Sequence, residues 1–168
     1  MKKNLKSIIF YLAIIIFVIL LRIFIITPII VDGDSMKPTL YNNDVMILNK
    51  IGYSLNGLNR FDIIAIKREE EHLIKRVIGL PGEKIEYKDN QLYVNNKMIK
   101  DEYANITDDY STEYLIKDGI IPQDKYFVLG DNRLFSADSR IIGFIDKKDI
   151  LGKTNFIIFP FNHFKIIK

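Results

Sequence analysis

The chain contains no cysteine, and this absence limits its chemistry before any motif is considered. Disulfide bonds and cysteine-ligated metal sites are excluded, while a location outside the cytoplasm stays open. Histidine is almost absent too: the two residues, His72 and His163, lie far apart and match no metal-ligand spacing. No local pattern brings either histidine to a serine, as a Ser-His-Asp triad requires. We therefore expect neither a metal ion nor a cofactor.

Basic charge is concentrated at the start of the chain. Residues 1–22 carry Lys2, Lys3, Lys6 and Arg22 and no acidic residue, so they account for a charge of +4 against a net charge of +3 for the whole chain. The remainder is therefore near neutral. A nucleic-acid-binding domain needs a basic face on the folded part, so the composition argues against a nucleic-acid partner. The length of 168 residues allows one modest domain plus a terminal segment.

Residues 7–26, SIIFYLAIIIFVILLRIFII, form the one long apolar run, with Arg22 as its only charge. A helix of this length crosses a hydrocarbon core of about 30 Å. The alternatives are a buried helix of a soluble domain and a cleaved signal peptide. The segment that follows, TPIIVDG, lacks a small-residue cleavage site, which favours an uncleaved anchor that ends at Pro28. The preceding lysines predict a cytoplasmic N-terminus and an extracytoplasmic remainder.

Beyond this segment the sequence predicts a mostly β domain. Short runs rich in Ile, Val, Tyr and Phe occur at 44–51, 61–68, 72–80, 84–88, 91–95, 126–130 and 152–159. The stretches KDNQ and VNNKM are typical of tight hairpin turns. We predict a fold that is closed or sandwich-like, with an anchor at 1–28, a β-rich domain at 29–168 and a small excursion at about 99–123. The Phe-rich C-terminus is either a final core strand or a surface that touches the bilayer.

Two polar constellations interrupt the predicted strands early in this domain. The first, GDSMKPTL, places Ser35 in a constrained turn, where it is either a structural turn residue or a nucleophile. The second, LIKRVIGLPGE, places Lys75 among aliphatic residues of a strand. Lys75 is either solvated on a polar face or partly buried, and burial would lower its pKa. A neutral lysine could then act as a general base toward a serine hydroxyl.

The third constellation is LGDNRLFSADSR, a loop with four charged side chains and two serines. Asp131, Arg133, Asp138 and Arg140 could pair locally and hold the loop rigid beside a site. A charged surface loop without any function explains the same residues equally well.

Taken in this order, the blocks resemble the type I signal peptidase family, the membrane-bound Ser-Lys endopeptidases. GDSMKPTL, NNDVMILNKI, RFDIIAIK with LIKRVIGLPGE, and YFVLGDNRLFSADSR with GFI look like the family's successive boxes. They follow an N-terminal anchor and cover residues 31 to about 152. The resemblance implies a two-sheet antiparallel β catalytic core.

The resemblance also implies a role for each matching position. Ser35 would be the nucleophile and Lys75 the general base, with Ser136 orienting the lysine amine. Asp138 and Arg140 would form a supporting salt bridge in the same loop.

Further positions would shape the loop and the substrate pocket. Gly130 and Asp131 would shape the loop. The pocket for small side chains would be lined by Met36, Ile74, Val31 and Ile29. One departure concerns Gly33, because some family members carry a hydroxyl there that helps to form the oxyanion hole. A missing donor of this kind could cost about 3 kcal/mol of transition-state stabilisation.

The function implied by this resemblance is removal of signal peptides from exported preproteins by an acyl-enzyme mechanism, with cleavage after small residues. The expected partners are secretory preproteins, membrane lipids and the export translocon, and the expected location is the cell membrane with a single pass. A peptidase specialised for pilin or conjugation proteins would share the dyad. A catalytically inactive, membrane-tethered β module that binds exported proteins is a further alternative.

Overall fold

The computed structural model describes residues 2–24, 26–50, 57–68, 72–103 and 106–167. Its first element is helix α1 (Lys2–Phe24), which contains neither glycine nor proline. The apolar side chains that are described in this helix, from Ile8 to Ile19, are exposed. Within the described part of the chain, no helix is long and apolar enough to cross a membrane, so the predicted span is not confirmed.

The predicted end of the helix at Pro28 is wrong. The helix ends at Phe24, and Pro28 lies inside a strand that forms the edge of a sheet. An edge strand tolerates proline because one of its sides needs no backbone N–H.

The larger of two antiparallel sheets has eight strands in the order β1-β2-β11-β3-β4-β9-β10, with β12 paired to β11. Its strands are β1 (Ile26–Ile30), β2 (Val45–Asn49), β3 (Ile63–Lys67), β4 (His72–Gly79), β9 (Lys125–Leu129), β10 (Ile145–Asp146), β11 (Ile150–Phe159) and β12 (Lys165–Ile166). A short helix, α2 (Ser139–Ile142), precedes β10. The sequence predicted these strands from their β-branched and aromatic residues. The same residues form the buried faces of this sheet.

The smaller sheet has four strands in the order β7-β6-β5-β8. These are β5 (Ile85–Lys88), β6 (Gln91–Val94), β7 (Lys97–Ile99) and β8 (Tyr110–Ser111). Positive φ angles at Asp89, Asn90, Asn95 and Asn96 confirm the two predicted hairpin turns, because such pairs of residues suit the twist of the strands. The predicted excursion at 99–123 contains β8, which belongs to this sheet because it pairs with β5.

Two sheets with antiparallel pairing throughout confirm the mostly β class. Apolar side chains from β1, β2, β3 and β4 form one buried cluster, and a second cluster joins β4 and β9 to the small sheet. The division at residue 28 stays a prediction. The Phe-rich C-terminus begins as a core strand, because β11 runs to Phe159 and its Ile157 is fully buried. After β11, the side chains of Phe161, Phe164 and Ile166 are exposed.

Candidate active site

The turn that carries Ser35 is fixed between β1 and β2. The Val31 N–H donates to the Asp44 carbonyl at 2.8 Å, and the Asn43 N–H donates to the Val31 carbonyl at 2.9 Å. Gly33 has a φ of +85°, a conformation that side-chain-bearing residues rarely adopt. These constraints place Ser35, which is partly exposed, at the mouth of a cleft.

Lys75 reaches this serine from the middle of β4. Its Nζ donates to the Ser35 Oγ at 2.7 Å, across 40 positions in the sequence. The residue is 3% exposed, so the alternative of a solvated lysine on a polar face is wrong. Both faces of β4 are buried from Ile74 onward, which explains why an alternating pattern did not predict this burial. Burial of this kind disfavours the charged ammonium.

The loop after β9 closes against the serine turn. A Cβ atom at Gly130 would lie closer than 3.0 Å to the Ser136 side chain and to the Ser35 carbonyl oxygen, so only glycine fits between them. The Asn132 N–H also donates to the Ser35 carbonyl at 3.0 Å. The Ser136 hydroxyl is buried and has no hydrogen-bond partner in the described part of the chain. The predicted bond to the Lys75 amine is therefore not formed in this structure, although both residues lie beside Ser35.

The predicted pair of Asp138 and Arg140 is formed, with Arg140 Nε at 2.9 Å from Asp138 Oδ1. Asp138 is fully buried and caps α2, because its side chain accepts the backbone N–H of Arg140. Its second oxygen accepts the Gly130 N–H at 3.1 Å. One carboxylate thus ties the start of α2 to the glycine beside the nucleophile.

Asp131 has a partner that the sequence analysis missed. Arg76, the residue after Lys75, donates to both Asp131 oxygens at 2.8 and 2.6 Å, and both side chains are fully buried. The guanidinium also donates to the Phe61 carbonyl at 2.8 Å and lies 3.6 Å from the Tyr103 ring centroid. The only sequence signal was an arginine next to the candidate base and an aspartate in the loop. The expectation that Asp131 pairs within its own loop is wrong, since the partner lies on β4.

Arg133 likewise does not pair within its loop. It forms an ion pair with Asp101, at 2.7 Å, in the segment between β7 and β8. No pattern in the sequence connects residues so far apart.

One cleft is lined by Ser35 and Lys75, and a second cleft adjoins it at Ile74. The first has a volume of about 200 Å³, and its lining includes Met36, Val31, Ile74 and Ala137. The second has a volume of about 490 Å³, and its lining includes Ile29, Leu48, Leu151 and again Ile74. The four residues predicted to line a substrate pocket are therefore distributed over two neighbouring clefts that share Ile74 and His72.

Comparison with known proteins identifies a family for this chain. Residues 4–159 match the family described as "Signal peptidase, peptidase S26". Signal peptidase IB of Staphylococcus aureus (strain Mu50) is 41% identical to this chain, in an alignment that covers 98% of this chain and 95% of that protein. Signal peptidase I of Bacillus amyloliquefaciens is 39% identical, in an alignment that covers 89% of this chain and 85% of that protein.

A solved structure also matches. Signal peptidase I from Enterococcus faecalis V583 is 39% identical and superposes with a TM-score of 0.53, covering 57% of this chain and 95% of the solved one. The ordered blocks, the two antiparallel sheets and these matches lead to one assignment: the chain belongs to the signal peptidase family, peptidase S26.

Proposed function

We propose that this chain is a membrane-anchored serine endopeptidase that removes signal peptides from exported preproteins, with Ser35 as nucleophile and Lys75 as general base. The observation that carries the proposal is the 2.7 Å contact between Lys75 Nζ and Ser35 Oγ at the edge of an open cleft. A buried lysine beside an accessible serine hydroxyl is the arrangement that an amine base requires.

The reaction follows from this contact. Neutral Lys75 takes the Ser35 proton while Oγ attacks the carbonyl carbon of the scissile peptide bond. The lysine then gives that proton to the leaving amine, and an acyl-enzyme remains. In the second half, Lys75 takes a proton from water, the hydroxide attacks the ester, and the proton returns to Ser35 Oγ as the signal peptide leaves with a new carboxylate.

The substrate would bind as an added strand. Residues 72–75 of β4 pair with β3 on one side, while the pairing of β4 with β9 begins only at Arg76. The other edge of 72–75 therefore offers backbone groups to an extended peptide beside the nucleophile. Small side chains on alternate positions of that peptide would enter the two clefts that share Ile74.

Stabilisation of the oxyanion depends on fewer groups than in relatives with a hydroxyl at the position of Gly33. The Gly33 N–H already donates to the Asn42 side chain at 2.9 Å. We propose the Ser35 backbone N–H as the protein donor, with water in the second position.

The N-terminal segment would hold the site at the membrane. The apolar side chains of α1 that are described, from Ile8 to Ile19, contact no core, and three lysines precede them in the sequence. A lipid environment would cover these side chains, with the N-terminus in the cytoplasm and the β domain outside. Anchoring raises the effective concentration of a substrate whose own signal helix lies in the same bilayer. In this proposal, membrane lipids and the export translocon are the neighbours of the enzyme.

The test is cleavage of a purified preprotein by the full chain in lipid vesicles, compared with Ser35→Ala and Lys75→Ala. Wild type should release the signal peptide, and both variants should lose activity by more than about a thousandfold. Equal cleavage by wild type and both variants would contradict the dyad.

The alternatives separate in the same assay. Cleavage restricted to pilin-like or conjugation substrates would favour the specialised peptidase. Binding without cleavage of several preproteins by wild type would favour the inactive module.

A further inference from the structure

A buried guanidinium in the loop beside Ser35 connects this loop to the small sheet. Arg133 is 3% exposed, and its Nη1 donates to the Tyr87 hydroxyl at 3.1 Å and to the Thr107 hydroxyl at 2.7 Å. Its Nη2 donates to Asp101 Oδ2 at 2.7 Å. Tyr87 belongs to β5, while the other two acceptors lie between β7 and β8. Arg133 lies in the loop beside the candidate active site, and these three acceptors of its Nη atoms come from the small sheet and the segment that connects its strands.

These acceptors are themselves fixed. The Tyr87 hydroxyl donates to Asp101 Oδ2 at 2.6 Å, and the Tyr103 N–H donates to Asp101 Oδ1 at 3.1 Å. Burial raises the pKa of the Tyr87 phenol, so it stays protonated and keeps its donor role. Burial acts to lower the pKa of Arg133, but neighbouring Tyr87 and Asp101 outweigh this and the pKa is raised. The guanidinium is thus permanently charged and held in one orientation.

The same guanidinium reaches the nucleophile's surroundings. Its Nε donates to the Gly130 carbonyl at 2.9 Å, and Gly130 is the residue that fits between Ser35 and Ser136. Asn132, two residues after Gly130, donates its N–H to the Ser35 carbonyl. A shift of Arg133 would therefore move the part of the loop, Gly130 to Asn132, that contacts Ser35.

We propose that Asp101 is a positioning residue for the peptidase reaction: through Arg133 it holds Gly130 and the loop against Ser35. This inference rests on the proposed Ser-Lys function. Among the residues that the structure describes, the small sheet contributes none to the lining of the two substrate clefts, yet in this proposal it helps to orient the nucleophile. A misplacement of about 1 Å at such a site is enough to cost about a hundredfold in rate.

A purely stabilising network would predict a different outcome. Breaking it would lower the melting temperature, yet leave kcat per folded molecule unchanged. The control is the Arg60–Glu83 pair, another ion pair between an arginine and a carboxylate, which is partly buried and has two hydrogen bonds, at 2.6 and 2.9 Å. Neither Arg60 nor Glu83 has a hydrogen bond to the loop among those described for these side chains.

The experiment compares Asp101→Asn with Glu83→Gln in the full chain, at a temperature well below both melting transitions. We expect both variants to melt earlier, and only Asp101→Asn to lose kcat, by at least about tenfold with KM unchanged within about twofold. A kcat equal to that of Glu83→Gln would overturn the inference while leaving the peptidase function intact. An inactive wild type would instead count against the proposed function itself.

Milder changes keep the test valid if Asp101→Asn does not fold. Thr107→Val removes one acceptor of Arg133 at nearly constant volume, and Thr107→Ser retains it. We expect the valine variant to lose kcat by several-fold and the serine variant to keep it. Equal kcat for the two would overturn the inference, because they differ at the guanidinium contact.

Discussion

Replacing Gly130 by alanine tests how closely the loop after β9 must approach the nucleophile. The new methyl group would lie closer than 3.0 Å to the Ser136 side chain and to the Ser35 carbonyl oxygen. The second contact is with backbone, so no side-chain rotation relieves it. A normal separation near 3.5 Å needs a displacement of about 1 Å between the loop and the serine turn. Such a displacement predicts a loss of about a hundredfold in kcat/KM, and overpacking costs about 1–3 kcal/mol of stability.

The assay measures preprotein cleavage together with the free energy of unfolding. Gly79→Ala is the matched control, because a Cβ there meets the side chains of Ile121, Ile85 and Phe127 rather than the serine turn. Both variants should be destabilised, and only Gly130→Ala should lose most of its activity. If Gly130→Ala cleaves within about threefold of wild type while remaining folded, the close approach has no catalytic role.

Three further outcomes are expected. Activity should fall as pH decreases, because protonation of Lys75 removes the base; a pH–kcat profile that is flat between about pH 5 and 9 would contradict this. Asp131→Asn should cost about 3–5 kcal/mol in chemical denaturation, since it leaves the fully buried Arg76 without its counter-charge. Lys100→Gln, in an exposed pair, should leave the denaturation midpoint nearly unchanged. Ile74→Ala should enlarge both clefts. For a substrate with Leu before the scissile bond, kcat/KM relative to that for a substrate with a small residue there should rise by about tenfold. An unchanged ratio would mean that Ile74 does not determine specificity.

Strand positions were predictable where local chemistry decides them. Short runs rich in Ile, Val, Tyr and Phe identified β2, β3, β4, β5, β6, β9 and β11, and Asn and Asp pairs identified both hairpin turns. Strands β8, β10 and β12 have two residues each, which is too short for any periodicity to be read. Their pairing is decided by neighbouring strands.

The candidate site divides in a similar way. The residue types in the three polar blocks, and their resemblance to one family, indicated Ser35, Lys75 and the Asp138–Arg140 pair. The partners of Asp131 and Arg133 could not be predicted, because 55 and 32 positions separate them from Arg76 and Asp101. Pairing at such a separation depends on how the sheets pack.

By itself, the sequence determined the mostly β class, the order of the polar blocks and the chemistry available to a chain without cysteine. The tertiary structure alone decided that Lys75 is buried and lies 2.7 Å from Ser35, because both faces of β4 are covered from Ile74 onward. It also decided that the small sheet holds the active-site loop through Arg133. Local sequence sets backbone preference and side-chain chemistry, whereas burial and charge pairing arise only when distant strands come together.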